Sequence, residues 1–493
     1  MAQDPEQRQA PADSRVSLLL VGCVVLAAVS LVVVPSTITF DPLTWATWAR
    51  EIVHLNLNTN GGPAWKPLPI VVDVIFAPFG AVEKWVWLVV ARAGALLGVA
   101  MAYRLARRLS ARAEGGRLAG VVAGLIAATG FALSETFLEY LTPLGMSEPL
   151  LAGLALLAIE RHLDGHRAQA YGLIFACLLL RPETFPFFLG YSIYLWLRLP
   201  RSRPWSVGLT LSLPVFWLLP DYLATGNALR SSQRAAQPTQ GGPLLTGHPA
   251  LAVIESGFNA VVLPIVVGAV IAMAIAVVAY VRHRQERPLL AVSALCLGWL
   301  VTVAVETQAH AGSGDQRYLI VAYALACVLA GVGWTRLVGA AAERVTGWTG
   351  PAWGTAARIG VIAVLVLGSA PFVAQRLNEL SGVIGEVPYQ AHKYGELSAM
   401  IKEVGGSKRI LACGPITSDI YQMPALAWDL GIHQSQILIA TASKNVPTRG
   451  TVFRTRTTRG SPVVPPTLGS ADFHVVATTD QWQMLSTCGG FAA

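Results

Sequence analysis

The chain has 493 residues, of which 54% are hydrophobic and 13% charged, with a formal net charge of +8. A soluble domain carries about 25% charge and a disordered chain combines high charge with low hydrophobicity, so both classes are excluded. Six cysteines in this length are too few for a disulfide-stapled secreted module, and what remains is a polytopic membrane protein with one soluble appendage.

In chain order, a polar N-terminus covers residues 1–15. Apolar runs then fall at roughly 16–36, 84–107, 117–135, 146–160, 168–180, 183–198, 204–223, 257–281, 288–308, 318–338 and 358–376. That predicts about eleven spans, with 168–180 short for a hydrocarbon core of about 30 Å. The first run is read as a retained helix, because no small-residue cleavage site follows it. A further run, Pro67 to Gly80, is interrupted by Pro69 and Pro78 and reads as a re-entrant or interfacial segment.

Lys and Arg are distributed unequally between alternate loops. With the N-terminus inside, the cytoplasmic loops hold Arg8, Arg15, Arg104, Arg107, Arg108, Arg112, Arg117 and further arginines on to Arg358. The opposite face holds Arg50, Lys66, Lys84, Arg181, Arg230, Arg234 and Arg317 in longer loops. The bias predicts a plasma-membrane protein with its N-terminus cytoplasmic and its C-terminus outside. No basic stripe with interleaved aromatics is present, so nucleic acid is not an expected partner.

Residues 377–493 change character and are read as a small extracytoplasmic α/β domain following a transmembrane domain of residues 16–376. Ile410 to Ala412 and Phe473 to Ala477 read as short strands, and Met423 to Leu430 reads as a helix. Cys23, Cys177, Cys296 and Cys327 lie in spans and read as packing residues. Cys413 and Cys488 lie in the tail, where a disulfide and two free thiols are both open.

The outer face carries charge at the ends of spans, where burial is costly unless something pairs it. After the first span comes Phe40-Asp41-Pro42, in which Asp41 suits the N-cap of an amphipathic interfacial helix running to Val53. The same loop ends in Trp65-Lys66-Pro67-Leu68-Pro69, where Lys66 could snorkel or bind phosphate. Glu148 opens a span, Arg181 and Glu183 lie in a turn between spans, and Asp315-Gln316-Arg317-Tyr318 opens another. Each has a reading as a local ion pair; together they form a one-sided set of acids and bases.

In these residues the chain resembles the membrane-embedded C-type glycosyltransferases. The first span followed by an Asp and an amphipathic helix is similar to that family, as is the Trp-Lys-Pro-Leu-Pro stretch before a short apolar run ending Phe79-Gly80. Arg92 within its span, Arg107-Arg108, Arg181-Pro182-Glu183 and Arg317-Tyr318 continue the likeness over roughly residues 16–340. The layout is similar to that of protein O-mannosyltransferases and the lipid A aminoarabinose transferase. This chain has Lys66-Pro67-Leu68-Pro69 where their motif is Lys-Pro-Pro-Leu, and one acid where the O-mannosyltransferases have an adjacent pair.

The resemblance implies an all-α membrane bundle, with interfacial helices in the first outer loop, that transfers a sugar from a polyprenyl-phosphate donor. The acceptor would be a hydroxyl of a glycan, glycolipid or protein, and inversion the expected outcome. It casts Asp41 as general base, and Glu148 is placed with it in the catalytic set as a carboxylate that orients the acceptor or Lys66. Lys66, Arg181, Arg317, Tyr318 and Trp65 would bind lipid phosphate and sugar. No Gly-rich phosphate cradle is present, which agrees with a lipid-delivered donor. No cofactor is expected, and a divalent metal has no support in the sequence. A transporter and a non-catalytic lipid-binding member of the same fold remain as alternatives.

Overall fold

The computed structural model describes residues 5–110, 116–135, 137, 145–239, 241–349, 351–440, 448–465, 473–489 and 491. The chain opens with α1 (Pro5–Val33), α2 (Phe40–Val53), α3 (Pro67–Phe76), α4 (Val82–Ser110) and α5 (Gly116–Ala132). Next come α6 (Glu148–Leu163), α7 (Arg167–Leu180), α8 (Phe185–Arg198), α9 (Arg203–Trp217), α10 (Leu219–Thr225) and α11 (Arg230–Ala235). The bundle is completed by α12 (Pro249–Ala260), α13 (Leu263–His283), α14 (Arg287–Gln308), α15 (Ile320–Thr349) and α16 (Pro351–Glu403).

Among the described residues, seven helical segments are long and apolar enough to cross a bilayer: Arg15–Val33, Val82–Ser110, Pro200–Thr225, Leu263–His283, Arg287–Gln308, Gln316–Gly347 and Ile359–Glu403. The other four apolar runs form α5, α6, α7 and α8, with 17, 16, 14 and 14 residues. A helix of 14 residues rises about 21 Å, less than the hydrocarbon thickness. The run at 257–281 divides between α12 and α13, where Pro264 occupies the first turn of the new helix. Pro67 to Gly80 becomes α3 and a 3₁₀ turn, Ala77–Phe79. The last span is part of α16, one helix of 53 residues that passes through Pro371 and Pro388 without ending.

α15 packs at the centre of the bundle, against α4, α5, α13, α14 and α16. Its first three turns, Ile320 to Leu325 and Cys327 to Ala330, are buried. Two glycines let neighbouring backbones approach it. A Cβ at Gly331 would lie 2.2 Å from the Ala123 carbonyl oxygen of α5, and one at Gly333 would lie 2.0 Å from the Gly268 carbonyl oxygen of α13. Helices in lipid associate through such close packing, because lipid tails are as apolar as the side chains. Leu18, Val24, Val270, Val301 and Leu367 face outward and exposed, as a lipid-facing surface requires.

The C-terminal region adds α17 (Ser407–Ala412), α18 (Met423–Leu430) and six strands: β1 (Ile416–Ser418), β2 (Ile437–Ile439), β3 (Thr451–Arg456), β4 (Val463–Val464), β5 (His474–Thr478) and β6 (Trp482–Ser486). The sheet order is β2-β1-β3-β6-β5, with β4 also on β3. β1 runs parallel to β2 and β3, while β3, β6 and β5 are antiparallel. α18 matches its sequence reading and ends on Gly431 in the left-handed region. The expected strand at Ile410 to Ala412 is instead the end of α17, with Ile410 buried in the core of the region. Three apolar residues carry too little periodicity to separate the two. Cys413 and Cys488 form a disulfide with Cα atoms 5.8 Å apart, and Cys23, Cys177, Cys296 and Cys327 are free and buried.

Candidate active site

Six of the seven side chains singled out in the sequence meet at the ends of helices at one end of the bundle. Four of them, Asp41, Lys66, Glu148 and Arg181, are each followed by proline. Proline lacks an N–H and tolerates the first turn of a helix, and it pushes the residue before it toward extended backbone. Lys66 (φ −133°, ψ 110°) and Arg181 (φ −149°, ψ 125°) adopt that extended geometry at the start of α3 and the end of α7. Both long cationic side chains thereby leave their helices and turn into the protein. Pro42 and Pro149 sit in the first turns of α2 and α6 beside Asp41 and Glu148, where acids also complement the positive end of the helix dipole.

Asp41 is not the N-cap expected from the sequence. Thr39 holds that position in extended backbone, and α2 starts at Phe40. Asp41 is inside the first turn, so its carboxylate is not spent on the helix end. Its Oδ2 instead accepts from Arg317 Nη1 at 3.3 Å and lies 3.9 Å from Lys66 Nζ. Lys66 Nζ donates to Glu148 Oε1 at 3.0 Å and to Ser147 Oγ at 3.1 Å, and sits 5.0 Å from the centre of the Trp45 ring. Glu148 Oε1 also accepts from Arg181.

Arg181 lies 3.8 Å from Glu183 and stacks its guanidinium 3.9 Å above the Tyr318 ring. Arg317 precedes α15 in a 3₁₀ turn, and its backbone N–H donates to the Asp315 carboxylate at 3.1 Å. Its side chain pairs with Asp315 as well, at 3.3 Å.

The resulting network is Arg317–Asp41–Lys66–Glu148–Arg181–Glu183. Asp41, Lys66, Glu148, Arg181 and Glu183 are all buried. Charges are expensive to bury unless paired, and here each cation has an acid on at least one side. Burial, reinforced by the positive charge of Arg181, lowers Lys66 to about 8, with Glu148 and Asp41 holding it up. An amine in that position keeps its proton at neutral pH and loses it as pH rises through about 8.

Trp65 is the exception. Its backbone N–H donates to Ser231 Oγ at 2.7 Å, its indole N–H donates to the Phe216 carbonyl at 2.9 Å, and its ring stacks on Trp48. It ties the loop carrying Lys66 to α9 and α11. Two neighbours escaped the sequence reading. Ser147 precedes Glu148, and Trp45 lies one helical turn beyond Asp41, so periodicity on α2 was the available signal for Trp45. Beside Arg317, a recess of about 270 Å³ has Asp315, Gln316, Thr239 and Ser256 in its wall.

Among the described residues, His392, Glu396 and Asp480 of the C-terminal region could share a metal ion, their ligand atoms lying within 4.8 Å of one another. His392 already pairs with Glu396 at 2.8 Å.

No protein-family model matches the sequence, and no curated protein does. Among solved structures, the crystal structure of ArnT from Cupriavidus metallidurans in the apo state is similar over 98% of this chain and 99% of that one. The TM-score is 0.50 and the sequence identity 16%. At that identity the likeness speaks for architecture alone: the chain shares the fold of that structure, here a bundle of helices, several of them long and apolar enough to cross a membrane, with a small C-terminal sheet region.

Proposed function

We propose that the chain is a glycosyltransferase that moves a sugar from a polyprenyl-phosphate donor to an acceptor hydroxyl at the outer face of the membrane. The observation that carries this reading is the double engagement of Asp41 by Arg317 and Lys66. An acid masked by two cations can be unmasked by a better anion. A donor phosphate offers more oxygen atoms and more charge than one carboxylate, and Arg and Lys both bind phosphate strongly. The N-termini of α3 and α6 add partial positive charge at the same place.

Once the phosphate has taken Lys66 and Arg317, the Asp41 carboxylate is free to accept the proton of an acceptor hydroxyl. The hydroxyl oxygen then bonds to the anomeric carbon while the bond from that carbon to the phosphate oxygen breaks. The electron pair stays on the phosphate, where the cations stabilise it. With one unmasked carboxylate, the reaction is a single displacement with inversion. Glu148 holds Lys66 and Arg181 in place and neutralises them, and Tyr318 supports Arg181 from below. The fold and the residues fit a lipid-borne donor.

Asp41→Asn keeps the shape of the side chain and removes its basicity. Transfer should fall by roughly 10²–10⁴-fold, while binding of polyprenyl phosphate in detergent or nanodiscs stays within a few-fold of the unaltered protein. Undiminished transfer by Asp41→Asn would end the assignment. Solute flux into proteoliposomes with no sugar transfer would replace it by a transporter.

A further inference from the structure

The loop that delivers Lys66 is gripped from two sides. On one side is the segment from α10 to α11. Arg230 donates to the carbonyls of Pro63 (2.7 Å), Gly61 (2.7 Å) and Gly62 (3.1 Å), and Arg234 adds a bond to Gly62 at 3.2 Å. Buried Asp221 accepts from Thr59 Oγ1 at 2.6 Å and from the Ser231 N–H at 3.0 Å.

On the other side is the C-terminal region, about 370 residues further along the chain. Gln434 is fully buried against Gly61 and Gly62. A Cβ on Gly61 would lie 2.8 Å from Gln434 Cβ and 3.0 Å from the Ser435 nitrogen. One on Gly62 (φ +83°) would lie 2.7 Å from Gln434 Oε1. The contact therefore exists only because both loop residues lack side chains, and Gly62 also needs its left-handed backbone.

The same edge of the C-terminal region holds α2, the helix that carries Asp41. His433 Nδ1 lies 2.8 Å from Glu51 Oε1, and Thr44 Oγ1 lies 3.4 Å from Gln434 Oε1. Arg50 donates to the carbonyls of Trp428 (2.9 Å) and Ala427 (3.2 Å). Asp41 and Lys66 thus sit on two pieces of chain that touch each other through Trp48 and Trp65 and that both rest against Gln434 at this edge of the C-terminal region.

We infer that Gln434, braced by His433 against Glu51, is a positioning residue for the candidate active site: it fixes the Lys66 loop against α2 and so makes the C-terminal region a working part of phosphate binding. The inference rests on the proposed role of Lys66, and the experiment separates the two. Its probe is a polyprenyl monophosphate titrated into the full-length protein in nanodiscs, at several pH values.

Gln434→Ala should weaken binding roughly tenfold, the scale on which small misplacements of a binding group are felt. It should also move the alkaline fall in binding above its position near pH 8, because a loosened loop lets water reach Lys66. Gly61→Ala pushes the same contact apart from the loop side without altering the C-terminal region and should reproduce both effects. Gln434→Met keeps the bulk and should bind within about twofold of the unaltered protein. A variant that had merely lost stability would bind less without shifting its pH profile, and that result overturns the inference. So does unaltered affinity in both Gln434→Ala and Gly61→Ala when Lys66→Ala binds weakly. If Lys66→Ala itself binds normally, the reading of the site fails first, and the inference falls with it.

Discussion

Glu148 is the most informative residue to perturb, because its neighbours must respond to its loss. It is fully buried and joins Lys66, 3.0 Å away, to Arg181. Removing one partner of a buried pair costs about 3–5 kcal/mol when the other charge is stranded. Lys66 has an escape, since a pKa of about 8 puts its neutral form only about 1.4 kcal/mol away at pH 7. The attraction that Glu148 exerts at 3.0 Å is of the order of 5 kcal/mol at an effective dielectric of 20. Losing even a third of that lowers the lysine by more than one unit.

Glu148→Gln should therefore shed the Lys66 proton at neutral pH and fold with a smaller penalty than a stranded pair implies. It should lose phosphate affinity by about fourfold to fivefold at pH 7.5, from the fall in protonated fraction alone. The assay is polyprenyl-phosphate binding between pH 5.5 and 9, with thermal unfolding followed in parallel. The unaltered protein should bind up to about pH 8 and then weaken; Glu148→Gln should begin to weaken below pH 7. Binding curves that coincide for the two proteins would show that Glu148 does not set the charge of Lys66, and the electrostatic account of the network would be refuted.

Two further outcomes follow from the same structure. Lys66→Arg puts a cation that cannot deprotonate in the same place, so the weakening above pH 8 should disappear even if affinity at pH 7 drops several-fold; persistence of the fall would assign it to another group. The Cys413–Cys488 disulfide spans 75 residues, for which loop-closure entropy amounts to about 4.5 kcal/mol as an upper figure. Cys413→Ser should lower the unfolding temperature of the C-terminal region by several degrees, as should reductant on the unaltered protein; no change with either would mean that the cross-link leaves the unfolded chain unrestricted.

Hydropathy made the bundle readable because the bilayer imposes a length on apolar runs. It failed where packing decides instead. α7 and α8 are short for crossing on their own, and the 204–223 run, though long enough to cross, carries a break at Leu218 that its hydropathy does not announce. The charged residues were readable as a set because burying charge at the end of a span is costly enough to be noticed in composition alone. Their pairing was not readable, since Arg317 meets Asp41 across 276 positions.

Trp65 shows the opposite limit. Adjacent to Lys66, it turns away because Ser231 and the Phe216 carbonyl hold it. One signal went unused: the proline after Asp41, Lys66, Glu148 and Arg181. It is suggestive rather than sufficient, because Arg203-Pro204 and Arg287-Pro288 share the pattern and simply begin α9 and α14.

The long helix α16 has a practical consequence. At 53 residues it is a rod of about 80 Å, rooted among the apolar helices and ending beside α17. A division of the protein at residue 376, where hydropathy falls, would cut this rod near its middle and leave two frayed stumps. Neither the apolar half nor the sheet-bearing half can be expressed alone at that point with its architecture intact. Any dissection of the protein must keep the rod whole and joined to the sheet-bearing region, whose core it supplies with Leu397, Met400 and Ile401.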